Sequence, residues 1–227
     1  MNPLHNFLFG IYPYIALSLF LLGSLARFDR EQYSWKSDSS QLLKRGQLRW
    51  GSNLFHIGVL GLFGGHLVGL LTPKELYHAL GLTTEGKQLI AMAAGGVMGT
   101  LCLIGLSLLV HRRLSEPRLR ANSSRMDIFI LLWILATLVL GLVSILFSFS
   151  HMDGSVMVLL ANWAQHIVTF RGDAASFLAG VPLIYRVHLF FGMTMFLLFP
   201  FSRLVHVWSG FASVRYLTRP YQIVRKR

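Results

Sequence analysis

The sequence predicts an all-α integral membrane protein with five transmembrane helices, its N-terminus outside and its C-terminus inside. Three observations carry that prediction. The chain of 227 residues is 54% hydrophobic with a mean hydropathy of +0.56. Only 13% of residues are charged, about half the usual share, and a soluble domain needs more polar surface than that to cover itself. Five apolar stretches reach the ~20 residues that a hydrocarbon core of ~30 Å requires.

The elements follow in order. The stretches cover residues 4–26, 50–71, 88–110, 127–149 and 182–208. The first is read as a span and not as a cleaved signal. It lacks a basic start and ends in Arg27-Phe28-Asp29-Arg30 instead of a small-residue cleavage site. The third opens on a polar residue and the fifth is the longest. The loop 150–181 holds an amphipathic stretch, 155–170, with Leu159, Leu160, Trp163 and Ile167 on one side. Such a helix either lies on the outer leaflet or caps a pocket in the bundle. No soluble domain and no convincing repeat stands out, so 1–227 reads as a single membrane domain with an inner tail, 209–227.

Charge fixes the orientation. The chain carries 21 Lys and Arg against 9 acids, a net +12. On a soluble protein this would suggest nucleic acid; here no nucleic-acid partner is expected. All the basic residues except Lys74, Lys87, Arg171 and Arg186 fall between spans one and two, between spans three and four, or at and beyond the inner end of span five. Basic loops stay in the cytoplasm, which places the N-terminus outside. The single cysteine, Cys102, excludes an internal disulfide, a CxxCH haem attachment and a four-Cys iron–sulfur cluster within the chain.

Ionisable groups inside spans are costly and mark functional sites. Of nine His, His5, His78, His111, His151 and His166 fall at ends or in loops, where solvated or interfacial roles suffice. His56 and His66 lie in span two; His188 and His206 lie in span five, which runs the opposite way. At ~1.5 Å per residue, His66 sits ~15 Å further out than His56, and His188 sits ~27 Å from His206. Depth therefore pairs His66 with His188 outside and His56 with His206 inside. The unequal rises must be absorbed by tilt and by a kink at Pro200. Zinc would want more His, Cys or carboxylate ligands at these depths. Two imidazoles across a planar macrocycle fit better, which points to two non-covalent b-type haems. Ser52 and Ser202, each four residues before an inner histidine, either orient those rings or bond to their own helix. Gly58, Gly61, Gly65 and Gly69 read as close helix packing, with Gly65 singled out because it adjoins His66. Arg186 and Arg203 either pair with haem propionates or snorkel to the interfaces.

Several runs are familiar as a set. Ile11-Tyr12-Pro13-Tyr14, Ser52-Asn53-Leu54-Phe55-His56-Ile57-Gly58, Gly65-His66, His151-Met152-Asp153-Gly154-Ser155, Phe199-Pro200-Phe201-Ser202-Arg203-Leu204-Val205-His206 and Tyr221-Gln222-Ile223-Val224-Arg225 span nearly the whole chain. Together they resemble the gamma subunit family of bacterial respiratory nitrate reductases. The resemblance implies a five-span dihaem cytochrome b of the bacterial inner membrane, with the N-terminus periplasmic. It implies a distal haem on His66 and His188 and a proximal haem on His56 and His206. It implies that menaquinol or ubiquinol is oxidised on the periplasmic side, at positions matching Gly65, His66 and Lys87. Electrons would then pass from the distal to the proximal haem and on to an iron–sulfur beta subunit and a molybdenum-containing alpha subunit, which reduces nitrate to nitrite. Two other readings stay open on the residues alone. One is a dihaem anchor for another quinone-linked oxidoreductase. The other is a small proton-coupled transporter using its buried histidines.

Overall fold

The computed structural model describes residues 2–30 and 43–208. Among them every regular element is helical and no strand occurs. The helices are α1 (Pro3–Arg30), α2 (Arg45–Leu71), α3 (Lys74–Ala79), α4 (Thr84–Ser115), α5 (Pro117–Ala121), α6 (Arg125–Ser148), α7 (Ser155–Val168) and α8 (Leu183–Leu198). Five of them, α1, α2, α4, α6 and α8 with its following turn, are long and apolar enough to cross a membrane. Lys36 and the expected inner tail lie outside the described residues.

Helices α1, α2 and α4 overrun their apolar stretches, and α6 starts ahead of its own. Hydropathy marks only the lipid-length centre of a helix, whereas polar caps set its ends. α4 begins at Thr84 because Thr83 Oγ1 accepts the Gly86 N–H at 3.1 Å. That cap brings Lys87 inside the first turn of the helix. α6 begins with a capping box: Ser124 Oγ accepts from Asp127 N at 3.1 Å, and Asp127 Oδ2 accepts from Ser124 N at 2.9 Å.

Small residues set the helix spacing. α2 and α4 run antiparallel in close contact. A Cβ on Gly58 would meet the backbone of Cys102, one on Gly61 would meet Met98, and one on Gly51 would meet Leu109. Gly105 of α4 answers on the other side, facing the backbone of Phe55. Gly99 then receives Leu142 of α6. α6 and α8 are also antiparallel: Trp133 stacks on Phe191 with ring centroids 4.3 Å apart, and its Nε1 donates to the Phe191 carbonyl at 3.1 Å. α1 runs parallel to α8, with Tyr12 beside Phe190 and Phe20 beside Phe196. Arg27, Lys44 and Arg203 gather at one end of this bundle, here named the basic end, through contacts to Pro200, Ser115 and Asp127 respectively.

Two expectations are corrected. The fifth span is not one helix to Trp208. α8 stops at Leu198, a 3-10 turn covers Phe199–Phe201, Ser202 is extended (φ −122°, ψ 177°), and a second 3-10 turn covers Arg203–Val205. Pro200 has no N–H to continue the helix and its ring clashes with the preceding turn. Nor does the amphipathic helix α7 lie on the surface. Trp163 and Ile167 are 2% and 4% exposed and join a core with Phe9, Ala175, Leu178 and Tyr185. Gln165 Nε2 ties α7 to the end of α2 through the Leu70 carbonyl at 3.0 Å. A one-sided apolar pattern fits lipid or protein equally; here protein covers it. The Trp163 Nε1–H donates to the Phe9 carbonyl at 2.8 Å, within a π-helical turn at Phe7–Ile11 that sequence periodicity does not reveal.

Candidate functional site

Each histidine of α2 faces one from the fifth span. The ring centroids of His66 and His188 are 6.1 Å apart, and those of His56 and His206 are 6.2 Å apart. α2 is continuous, so the two pairs are separated by ~15 Å along it. A continuous fifth span would set its two histidines ~27 Å apart. The break after Pro200 removes that conflict, because the chain leaves the helix axis before it reaches His206.

All four rings are held in the same manner. His56 Nδ1 lies 2.7 Å from the Ser52 carbonyl, and His66 Nδ1 lies 2.7 Å from the Leu62 carbonyl. His188 Nδ1 lies 3.1 Å from the Thr137 carbonyl, and His206 Nδ1 lies 2.7 Å from the Arg203 carbonyl. A carbonyl only accepts, so each neutral ring carries its proton on Nδ1 and keeps the Nε2 lone pair. That is the arrangement of a metal-ligating imidazole.

The spacing tests what such pairs can hold. A metal–nitrogen bond of ~2.0 Å places an imidazole centre roughly 3.1 Å from the metal, so two imidazoles that shared one metal would stand at most roughly 6.3 Å apart. Both pairs match. Each pair provides only two donors, and no group of three or more His, Cys, Asp or Glu suited to a metal occurs among the described residues. A macrocycle that brings its own four nitrogens fits this donor set, whereas tetrahedral zinc does not.

Neighbouring residues divide into expected and unexpected. Ser52 Oγ sits 3.2 Å from His56 Nδ1, beside the backbone carbonyl that the same nitrogen contacts. Ser202 does not play the matching part. Its Oγ donates to the Phe199 carbonyl at 3.1 Å and accepts from Leu204 N at 3.3 Å. The four-residue relation to His206 presumes an α-helix, and the chain there is not one. Gly141 of α6 carries no signal in the sequence. A Cβ there would come within 2.9 Å of His188 Cε1, so glycine lets that ring lie against α6 and reach Thr137. Gly65 and Gly192 face no protein atom within 4 Å at the Cβ position. Helix packing thus explains Gly58 and Gly61 but neither Gly65 nor Gly69, which is equally open.

Lys87 sits at the end opposite the basic one. It is buried, with Nζ 3.4 Å from the Thr72 carbonyl and 4.1 Å from the Tyr77 ring centroid. Thr72 caps α2, six residues or ~9 Å beyond His66, so Gly65, His66 and Lys87 belong to the same end. Arg203 is committed to Asp127, with Nε–Oδ1 at 2.8 Å and a second contact at 2.6 Å. Arg186 Nε is buried and has no hydrogen-bond partner among the described residues.

The nitrate reductase gamma subunit family matches residues 5–227. The chain belongs to that family. It is 54% identical, over all 227 residues and the whole relative, to the respiratory nitrate reductase 1 gamma chain of Escherichia coli (strain K12). It is 53% identical to the respiratory nitrate reductase 2 gamma chain of the same organism, over 99% of this chain and 98% of the relative. The nitrate reductase gamma chain of Bacillus subtilis (strain 168) is 38% identical over 97% of both chains. Membership in the gamma subunit family makes this chain a membrane subunit of an oxidoreductase that works with other nitrate reductase subunits. It sets aside the transporter reading and the anchor for some other oxidoreductase.

Proposed function

We propose that this gamma subunit is the quinol-oxidising dihaem cytochrome b of a respiratory nitrate reductase in the bacterial inner membrane. The observation that carries the proposal is the pair of histidine couples at 6.1 and 6.2 Å, each ring fixed through Nδ1. His66 and His188 would hold a distal haem b, and His56 and His206 a proximal one. Haem b supplies a one-electron ferric–ferrous couple when bound. The basic end faces the cytoplasm, following the charge of the loops, so the His66–His188 end faces the periplasm. Menaquinol or ubiquinol is oxidised there and its two protons are released outside. The chain delivers the electrons at its cytoplasmic end to the iron–sulfur beta subunit and, beyond it, the molybdenum-containing alpha subunit that reduces nitrate. Inward electrons with outward protons charge the membrane, at ~2.3 kcal/mol per charge per 100 mV.

The protein residues prepare both steps. The carbonyl contacts fix each imidazole in one tautomer, so no ring must turn or exchange a proton for its Nε2 to donate. Lys87, held over Tyr77, presents an ammonium donor at the periplasmic end. It binds a quinol oxygen and stabilises the negative charge left as the proton departs, while Gly65 leaves space beside His66. The test is haem quantitation with an optical redox titration of the purified complex. Two b-type haems per chain with two separate midpoints are expected; one haem or none overturns the proposal. Lys87→Met should keep both haems and lower kcat/KM for quinol about ten- to a hundredfold, the worth of a hydrogen bond to a charged group. Wild-type steady-state kinetics with quinol would remove Lys87 from the site.

A further inference from the structure

The histidine at the end of the fifth span is the least secured of the four by its own element. His56, His66 and His188 stand on continuous α-helices, whereas His206 follows a helix stop, an extended residue and two short 3-10 turns. Such a segment lacks the regular ladder of an α-helix, and the bonds inside it are short-range turns around Ser202 and His206. Contacts from neighbouring helices add to them.

Two helices supply these contacts. On α1, a Cβ at Gly23 would meet Pro200 Cγ at 2.8 Å, so glycine there admits the proline ring. Arg27, one turn further along the same face, donates from Nη1 to the Pro200 carbonyl at 2.8 Å and to the Ser202 carbonyl at 2.9 Å. These are carbonyls that the break releases from the helix. On α6, Asp127 is itself fixed by the Ser124 capping box and grips Arg203 through two contacts, at 2.8 and 2.6 Å. Planar two-point pairing of this kind defines orientation as well as distance. The Arg203 carbonyl is in turn the acceptor for His206 Nδ1 at 2.7 Å.

We infer that Arg27 and Asp127 are positioning residues for His206, acting through the broken segment 200–203 to set the plane and hydrogen bond of that imidazole. The inference rests on the reading of His206 as a proximal haem ligand. Asp127 acts two steps away: carboxylate to guanidinium, then the backbone of the same arginine to the ring. Arg27 acts by fixing the two carbonyls that precede it. The role of α1, which carries none of the four histidines, is then to hold the break against α8.

The test uses the whole complex with Asp127→Asn, Asp127→Glu, Arg27→Gln and Arg120→Gln. Haem content, optical redox titration and the low-spin paramagnetic resonance signals are recorded, since those signals report imidazole orientation. Asp127→Asn and Arg27→Gln should move the proximal signal and leave the distal one in place. At a fixed ambient potential the reduced-to-oxidised ratio of the proximal haem should change about fivefold, the worth of one ordinary hydrogen bond. Asp127→Glu should restore the wild-type signal. Arg120→Gln, which removes an exposed positive charge from the short helix α5, should change nothing. The inference fails if Asp127→Asn and Arg27→Gln both keep the wild-type proximal signal and midpoint, or if Arg120→Gln moves them equally. A wild-type complex without haem would instead overturn the reading beneath it.

Discussion

Replacing His66 by alanine is expected to lower the haem content from two per chain to one and to reduce quinol-to-nitrate turnover to background. The fold should survive. His66 lies inside the continuous helix α2, where alanine is the best helix former, and its Nδ1 bonds only within its own helix, to the Leu62 carbonyl at 2.7 Å. The partner ring stays in place as well, because His188 leans on Gly141 and reaches Thr137 on α6. What is lost is one Nε2 lone pair at the end of the bundle opposite the basic one. His56 and His206 lie ~15 Å away along α2 and should retain their haem with an unchanged midpoint. Nitrate reduction driven by a soluble dye that feeds the partner subunits directly should also be unchanged. Haem extraction, optical titration and the two assays together check this. Two retained haems, or undiminished quinol oxidation, would remove His66 from the distal site.

That argument uses features of very different legibility. The spans and the two histidine depths stand in the sequence because hydropathy and helical rise are local and periodic. The capping box Ser124–Asp127 is equally local. Lys87 is visible as a residue, but its place above Tyr77 depends on the turn between α2 and α4 folding back. The break after Pro200 is announced by the proline. Its shape is not, since it depends on Gly23 and Arg27, which precede it by more than 170 residues. Of the two readings of Ser202, bonding to its own backbone holds, with Oγ donating to the Phe199 carbonyl at 3.1 Å, because the four-residue relation to His206 spans the point where the helix ends. Gly141 has no local signature at all. Only the approach of the His188 ring from another helix explains it. The pattern of α7 shows which of its sides is apolar, yet periodicity alone does not tell lipid from the packed end of a bundle.

Gly58 carries the second large effect, and it acts on the scaffold under both pairs. A Cβ there would stand 2.5 Å from Cys102 N and 2.7 Å from Cys102 Cα. Those are backbone atoms inside α4, so no side-chain rotation relieves the clash and the two helices must separate. Overpacking typically costs 1–3 kcal/mol, occasionally more, and Gly58→Leu should exceed ~3 kcal/mol because a whole side chain enters a backbone contact. α2 bears both His56 and His66, and displacing it would disturb both histidine couples at once. Gly58→Leu is therefore expected to lose haem from both sites and to melt well below the wild type. Gly64, on the same helix, faces no protein atom within 4 Å at its Cβ position. Gly64→Ala should be neutral or raise stability by ~0.5–1 kcal/mol through helix propensity. Haem absorbance followed during thermal unfolding distinguishes the two glycines. If Gly58→Leu kept its haem and its melting temperature, the close contact of α2 with α4 would not be what holds the histidines in register.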